Sequence, residues 1–510
     1  MPKNDSGVRL TELLVALSLA TDLGFGQPAE HMLRSARIAL RIGERLGLSA
    51  NELATLYDVS ILTYVGCPTY GNEAATVFGD DIDFRANALF VNLAGMEGMR
   101  FMMGRAVGRQ KAVMMMTNGR AMIEMMAAHC SAAGELATRL GLSDDVSAGV
   151  QQAYARWDGK GVPSDIEGDA LSLAARISHI AEACEVYSRS LGVDDAVAMV
   201  KARSGSQFDP SLTATALPHA DALLTGIDED TVDEILDADP VSRGTLTDDQ
   251  LDAALEAIGD FCDLRCPYFA GHSAGTAALV TTACESLNVP AAEVRVARRA
   301  AHVHDVGRFG VPASLWNKPG PLNSREQERM RMHSYYVERI FSRPEPLKRV
   351  GLLAATHHER TDGTGYHRGV SGTLLSVPAR VLAAADAYHA MTQDRPHRPA
   401  RTPEDAAREL KQGAFDPVAV DAVLSAAGQP TARTRAGGPA GLTAREADVL
   451  ALLARGLANK AIAKELSISP KTVGNHVERI YTKLGVTNRA AAAMRAMQYG
   501  IVDTLHAGAV

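Results

Sequence analysis

Residues 357–367 read HHERTDGTGYH. Adjacent histidines do not share one face of a helix or strand, so core packing rarely asks for the pair. They are accounted for when one polar centre lies between them, reached from the end of a helix. Asp362-Gly363-Thr364-Gly365 supplies that end, because glycine tolerates the left-handed backbone of a sharp exit. Neutral imidazole is a common metal ligand. The stretch therefore asks whether the rest of the chain brings further ligands.

It does. His304 and Asp305 are adjacent in AHVHDVG, His272 lies one helix earlier, and His333 opens a later helix in RMRMHSYYVERI. Asp386 sits in VLAAADAYHAM, a carboxylate in an apolar helical stretch, where a buried unpaired acid is costly and a metal or an arginine partner is expected. Any one of these histidines alone is an ordinary core or surface residue. Five imidazoles and two carboxylates together call for a site. Nitrogen and oxygen ligation without thiolate suits iron, manganese or another octahedral divalent ion better than structural zinc. An aspartate between two histidine groups could bridge two such ions, which would acidify water and polarise a phosphoryl oxygen.

The 510 residues are too many for one ordinary domain and suggest about three. At 46% apolar and 22% charged the chain has the composition of a soluble globular protein. It has no uncharged apolar run long enough to span a membrane, and its N-terminus lacks a signal-peptide pattern. Six cysteines without a CxxC pair argue against a zinc knuckle or disulfide framework and fit a reducing cytoplasm. The net charge of −8 hides an asymmetry. From Gly438 onward there are nine Lys/Arg against five Asp/Glu, a net of +4, which leaves −12 on the remainder. A small basic module on a larger acidic body is the reading.

That body contains a diverged repeat. HMLRSARIALRIGERLGLSANE from His31 pairs with HSAGTAALVTTACESLNVPAAE from His272. RWDGKGVP (156–163) pairs with RTDGTGYH (360–367), ARISHIAEA (175–183) with ARVLAAADA (379–387), and FDP recurs at 208 and 415. Thr63 to Asp158 spans 95 residues against 58 from His304 to Asp362, so the first copy carries about 37 more. The extra stretch holds ten of the eighteen methionines, within 96–126, a pattern that reads first as adaptable core filling and second as a plastic pocket or partner surface. Residues 213–265 read as an acidic helical connector with a solvated surface, and GQPTARTRAGGPAG (428–441) as a linker.

Residues 265–427 resemble the HD-GYP branch of the HD phosphohydrolase superfamily through His272, His304-Asp305, GVP, LWNKPGPL, His333, HHERTDGTGY, Asp386 and DRPHRPA. The resemblance implies an all-α fold. It implies that His272, His304, Asp305, His333, His357, His358 and Asp386 ligate two divalent metal ions, iron or manganese. It also implies hydrolysis of a phosphodiester, in the best-known cases cyclic di-GMP. Asp305 and Arg308 would act in the reaction, and Arg308, Lys318 and Arg395 would face phosphate. Four positions depart from the pattern: Arg308 replaces the usual lysine, His367 makes GYP into GYH, and His389 and His397 replace an acid and a tyrosine. The first copy (8–212) keeps His31, His129 and Glu182, but the HD pair is Thr63-Tyr64 and the HH pair Ala153-Tyr154. It resembles a degenerate HD domain retained for ligand sensing or dimer packing, joined to the second by the connector 213–264.

Residues 442–486 read LTAREADVLALLARGLANKAIAKELSISPKTVGNHVERIYTKLGV. Thr443 and Glu446 form a capping box, and Ser469-Pro470 starts a later helix. Val473, Val477, Ile480 and Leu484 make its inner face. Lys471, Thr472, Asn475, His476 and Arg479 make its outer face, as a recognition helix entering a major groove requires. Lys471, Arg479 and Lys483 would meet phosphates, and Asn475 and His476 base edges. The module (442–505) resembles the LuxR-type helix-turn-helix, a small four-helix domain. That resemblance implies binding of double-stranded DNA as a homodimer, often through the last helix.

The architecture expected is two HD-type helical domains in tandem followed by the helix-turn-helix domain, in a cytoplasmic regulator with no membrane partner. A nucleotide or other phosphoester would control DNA binding. The second HD domain would either hydrolyse that ligand or bind it as a metal-bound sensor without turnover.

Overall fold

The computed structural model describes residues 5–108, 120–227, 231–241, 243–342, 344–372, 374–429, 441–486, 488–498 and 501. The protein is all-α, with one short antiparallel pair of strands, Asp5–Arg9 and Thr245–Thr247. It divides into two compact units, Met1–Gln429 and Pro430–Val510. Most of the expected linker, 430–440, and part of the methionine-rich stretch, 109–119, lie outside the described residues.

Within the larger unit the repeat is physical, down to single hydrogen bonds. The helices His31–Arg45 and His272–Ser286 are each preceded by a residue with the same left-handed backbone, Glu30 at φ 73° and Gly271 at φ 73°. Ten residues before each second helical position stands an aspartate that caps it. Asp22 Oδ1 accepts the Met32 N–H at 3.1 Å, and Asp263 Oδ2 accepts the Ser273 N–H at 2.9 Å. The FDP aspartates cap the helices that follow them and take an arginine from the helix carrying the paired motif: Arg176 to Asp209 at 2.8 Å, and Arg380 to Asp416 at 3.1 Å. Trp157 and Thr361 donate their N–H to Gln207 O and Ala414 O, which ties each DG turn to the strand of chain before FDP.

The acidic connector proves less solvated than its composition suggests. Leu251, Leu255, Ile258, Phe261 and Cys262 on the helix Asp248–Asp263 are buried, as are Leu223, Ile227 and Ile235 before it. The acids of this helix other than the buried Asp263 occupy its outer face, and Asp248 and Asp252 pair there with Arg299.

The smaller unit packs Leu442, Val449, Leu450, Leu453, Ile462, Val473, Ile480, Leu484, Ala492 and Ala496 into one core. Thr443 and Glu446 form the reciprocal capping box on Ala444–Ala454. Ser469 accepts the Thr472 N–H at 3.1 Å at the start of Pro470–Leu484, and Gly485 ends that helix at φ 61°. No described helix is long and apolar enough to cross a membrane.

Candidate metal centre

Five helical segments of the second copy aim their ends or one face at a common point. His272 is the first residue of its helix, and His304-Asp305 follow the last turn of Ala291–Val303. His333 lies inside Ser324–Ser342 and not at its start as expected, because the helix begins at Ser324; His357-His358 follow Lys348–Ala354, and Asp386 faces inward from Val377–Met391. Two glycines permit the approach. A Cβ on Gly307 would lie 1.9 Å from the His333 carbonyl oxygen, and one on Gly275 would lie 1.9 Å from His389 Nε2. Side chains at either position would push His333 or His389 away.

Three of the imidazoles are oriented alike. His304, His333 and His357 each hold Nδ1 against the carbonyl three residues earlier, at 2.7, 2.6 and 2.8 Å. A carbonyl can only accept, so Nδ1 carries the proton and Nε2 presents its lone pair to the centre. His333 Nε2 and His357 Nε2 stand 3.0 Å apart. Two such acceptors cannot hydrogen-bond to one another, and a cation is what reconciles them.

The ligand-capable atoms fall into two clusters, His333-His357-His358 and His272-His304-Asp305-Asp386. Asp305 spans both. Its Oδ2 lies 2.9 Å from His304 Nε2 and 3.5 Å from His272 Nε2, while Oδ1 lies 3.8 and 3.7 Å from His333 and His357. Asp386 has a similar reach, with Oδ1 at 3.1 Å from His272 and Oδ2 at 3.7 Å from His358. Asp305 is buried, yet neither of its oxygens has a hydrogen bond of good geometry, and neither does His304 Nε2. Atoms this close that do not bond to each other converge on a shared point. Uncompensated, such buried groups are expensive. The donor set, all imidazole and carboxylate, fits divalent ions.

Without added cations the site's electrostatics show the same strain. Burial opposes the charge on Asp305 and Asp386, but Arg308 and His304 for the first, and His272 and His304 for the second, hold both well below the usual carboxylate range. Burial also opposes protonation of His304, and the two carboxylates outweigh it, pushing it up to about 10. Burial drives His333 to about 4 and His357 to about 3. His333 and His357 are thus neutral, and in the absence of a metal ion His304 takes up a proton to offset the two anions, a role that a bound cation would replace. His358 is the one member with partial exposure, 20% of its side chain, and marks the open side.

Arg308 touches Asp305 Oδ2 through Nη2 and lies 3.9 Å over the Phe269 ring and 5.0 Å over Trp316. Its Nε and Nη1 are buried and unpartnered. Arg395 lies over the same Phe269 ring at 5.0 Å. Burial and the neighbouring Arg308 push Arg395 down to about 10, still a cation at neutral pH. Lys318 is placed otherwise than expected, its Nζ paired with Glu326 at 2.6 Å. His367, the departure from GYP, turns to Glu338 Oε2 at 2.9 Å and stands edge-on to Tyr335, while Tyr366 packs on His358 at 4.6 Å between ring centres. The extra imidazole is therefore engaged with Glu338 and belongs to neither ligand cluster.

Two participants were not legible as such in the sequence. His389 sets Nδ1 3.0 Å from His272 Nδ1, a partner that orients the ligand ring. Phe269, with no motif around it, forms the platform for both arginines. Trp316 was visible within LWNKPGPL, but not its stacking role.

In the first copy the corresponding positions are closed to such a centre. Thr63 bonds to Val59 O, Tyr154 Oη to Cys67 Sγ at 2.8 Å, and His31 Nδ1 to Glu185 at 2.6 Å. Both clusters found among the described residues lie in the second copy.

On the helix Pro470–Leu484 of the smaller unit, Lys471, Asn475 and Arg479 are exposed, and Thr472 and His476 are half-buried. Lys483 is diverted inward. Its Nζ donates to Glu446 Oε2 at 2.6 Å and to Gly441 O at 2.8 Å, so it locks the capping box.

A family model for the HD domain matches residues 113–212 and 256–418, and one for bacterial regulatory proteins of the luxR family matches 440–496. The 3'3'-cGAMP-specific phosphodiesterase 3 of Vibrio cholerae is 29% identical over 424 residues, covering 80% of this chain and 92% of that protein. The cyclic di-GMP phosphodiesterase of Thermotoga maritima is 37% identical over 130 residues, 24% of this chain and 35% of its own length. A crystal structure of a cyclic GMP-AMP-specific phosphodiesterase from V. cholerae superposes with a TM-score of 0.58 at 26% identity, covering 83% of this chain and 99% of that one.

Proposed function

The chain belongs to the HD-domain family and carries a LuxR-type unit after its HD body, and on that premise we propose that its second HD copy is a metal-dependent phosphodiesterase for a cyclic dinucleotide, coupled to DNA binding. The observation that carries this reading is the convergence of Asp305, His304, His333 and His357 on one point, beside an arginine with two unpartnered donors. Two divalent ions held there, with iron or manganese best matched to the ligands, would polarise a phosphoryl oxygen and activate water. His272, His304, Asp305 and Asp386 would hold one, His333, His357 and His358 the other, with Asp305 shared between them.

The chain's own residues do the rest. Arg308 offers Nε and Nη1 to a phosphate oxygen, and its stacking on Phe269 and Trp316 fixes the plane of the fork before substrate arrives. Arg395 adds a second cation on the same ring. A two-phosphate ring suits two arginines on one aromatic platform. Lys471 and Arg479 supply phosphate contacts to double-stranded DNA, with Asn475 aimed at base edges and Thr472 and His476 at the flank. The protein would bind as a homodimer through Arg489–Gln498 and work in the cytoplasm.

The test is hydrolysis of cyclic di-GMP and of 3'3'-cGAMP by metal-loaded full-length protein, beside an Arg308→Met variant. Linear or mononucleotide product that falls sharply in the variant supports the reading. Retention of metal with tight nucleotide binding and no product would favour the sensor reading, which the fusion to a LuxR-type unit motivates. Neither binding nor product would remove both.

A further inference from the structure

The first copy has lost four of the seven ligand residues and kept a hole. A cavity of about 360 Å³ occupies the place that the metal centre holds in the second copy. The equivalence rests on geometry. A Cβ on Gly66 would meet the His129 carbonyl oxygen at 2.2 Å, as one on Gly307 would meet that of His333 at 1.9 Å. Tyr64, His129, Ala153, Tyr154 and Glu182 all line the cavity, and each stands at a ligand position of the repeat.

Most of its wall is apolar, but its base is not. His129 is 4% exposed and neither ring nitrogen has a partner. Arg85 is 5% exposed, with Nη2 unpartnered. The other amine, Nη1, donates to Gly24 O at 3.0 Å and to Asp81 Oδ2 at 2.8 Å. Asp81 is itself shared, because Arg265 Nη2 reaches the same oxygen at 3.3 Å. Two arginines and one aspartate, all buried, leave one positive charge in excess. Burial pushes Glu182 up to about 8, so it is neutral at pH 7 and does not cancel that charge. Burial, seconded by Arg85, lowers His129 to about 3, which leaves a neutral ring able to donate one N–H. Buried donors beside an uncompensated cation match an anion, and apolar walls match an apolar body.

We propose that this cavity binds an apolar monocarboxylate, the acid group held by Arg85 Nη2 and His129 and the body lying among Phe25, Phe84, Leu93 and Met102. A small acid, not a nucleotide, is the ligand because the remaining polar lining is already engaged: Arg156 pairs with Asp158 and Asn92, His179 with Gln152 O, Gln207 with Arg203, and Lys160 stands exposed at the rim, which leaves too few free donors for two phosphates and nucleobases. The proposal stands apart from the phosphodiesterase reading, since it needs neither metal nor turnover.

The experiment is calorimetric titration of the full-length protein with decanoate and 4-phenylbutyrate, against decanol and decylamine as matched neutral and cationic bodies. One saturable carboxylate site per chain is expected, at least ten-fold tighter than for decanol, and decylamine should not bind. His129→Leu is close in size and removes a buried unpartnered group, so it should raise the melting temperature while weakening decanoate at least ten-fold. Met102→Trp, which fills the cavity, should also abolish binding. Absence of binding by both acids, equal affinity for decanol, or unchanged affinity in His129→Leu would each overturn the proposal.

Discussion

Glu182 stands where the second copy has Asp386, and its ionisation distinguishes a pocket from a metal site. Folding moves this carboxyl from an ordinary 4.5 to about 8, burial being the largest cause and Glu185 the next. The folded state therefore holds a proton that the unfolded chain has released above pH 4.5. Stability falls as pH rises from 4.5 towards 8 and levels off beyond. At about 1.4 kcal/mol per pKa unit, the penalty is roughly 2 kcal/mol at pH 6 and nearly 5 kcal/mol at pH 9. Glu182→Gln removes the titration, so its advantage over the parent should grow by about 2–3 kcal/mol between those pH values. Differences in the hydrogen bond to Tyr64 would shift the whole curve without changing its slope. Both tryptophans, Trp157 and Trp316, lie in the larger unit, so urea unfolding followed by tryptophan fluorescence reads that unit alone. A difference constant within about 0.5 kcal/mol from pH 6 to 9 would contradict a buried neutral Glu182. It would mean that Glu182 is ionised in the folded protein, as a metal ligand would be.

Arg308→Met should lower kcat/KM for a cyclic dinucleotide on the order of 100-fold by removing two charge-assisted donors, and Arg308→Lys should recover only part, lacking the fork and the stacking. Steady-state kinetics with metal content measured in parallel checks this, and equal activity of all three proteins would exclude phosphate binding by Arg308. Lys471→Ala and Arg479→Ala should each weaken binding to a cognate DNA duplex and reduce its salt slope by about one. Lys483→Ala should leave that slope unchanged and cost the smaller unit ~0.5–1 kcal/mol through the lost contact with Glu446, read in thermal unfolding.

The residues that form the candidate centre could be read from the chain because their chemistry is local. An HD pair, an HH pair and an aspartate in an apolar helix each announce a polar demand that packing does not meet. The repeat was legible for the same reason, since FDP and the paired arginine form a cap and an ion pair within some thirty-five residues of each other. The partners that sequence could not supply act across long separations. Phe269 and Arg395 meet only after 125 intervening positions fold back, and His389 reaches His272 only because Gly275 leaves it room. Lys318, which the resemblance turned towards substrate phosphate, and Lys483, expected on DNA phosphate, each had a nearer acid, Glu326 and Glu446. The acidic connector misled in the opposite way, because its charges line one face of a helix whose other face is core.

In the reading proposed above, the second copy, and not the first, holds metal. Elemental analysis of anaerobically purified full-length protein, beside a His304→Ala/Asp305→Ala variant of confirmed fold, decides this. About two equivalents of iron or manganese per chain are expected, as two ligand clusters sharing Asp305 require, with their loss in the variant. Metal content unchanged by the double substitution, or no metal in the parent protein after loading, would contradict it.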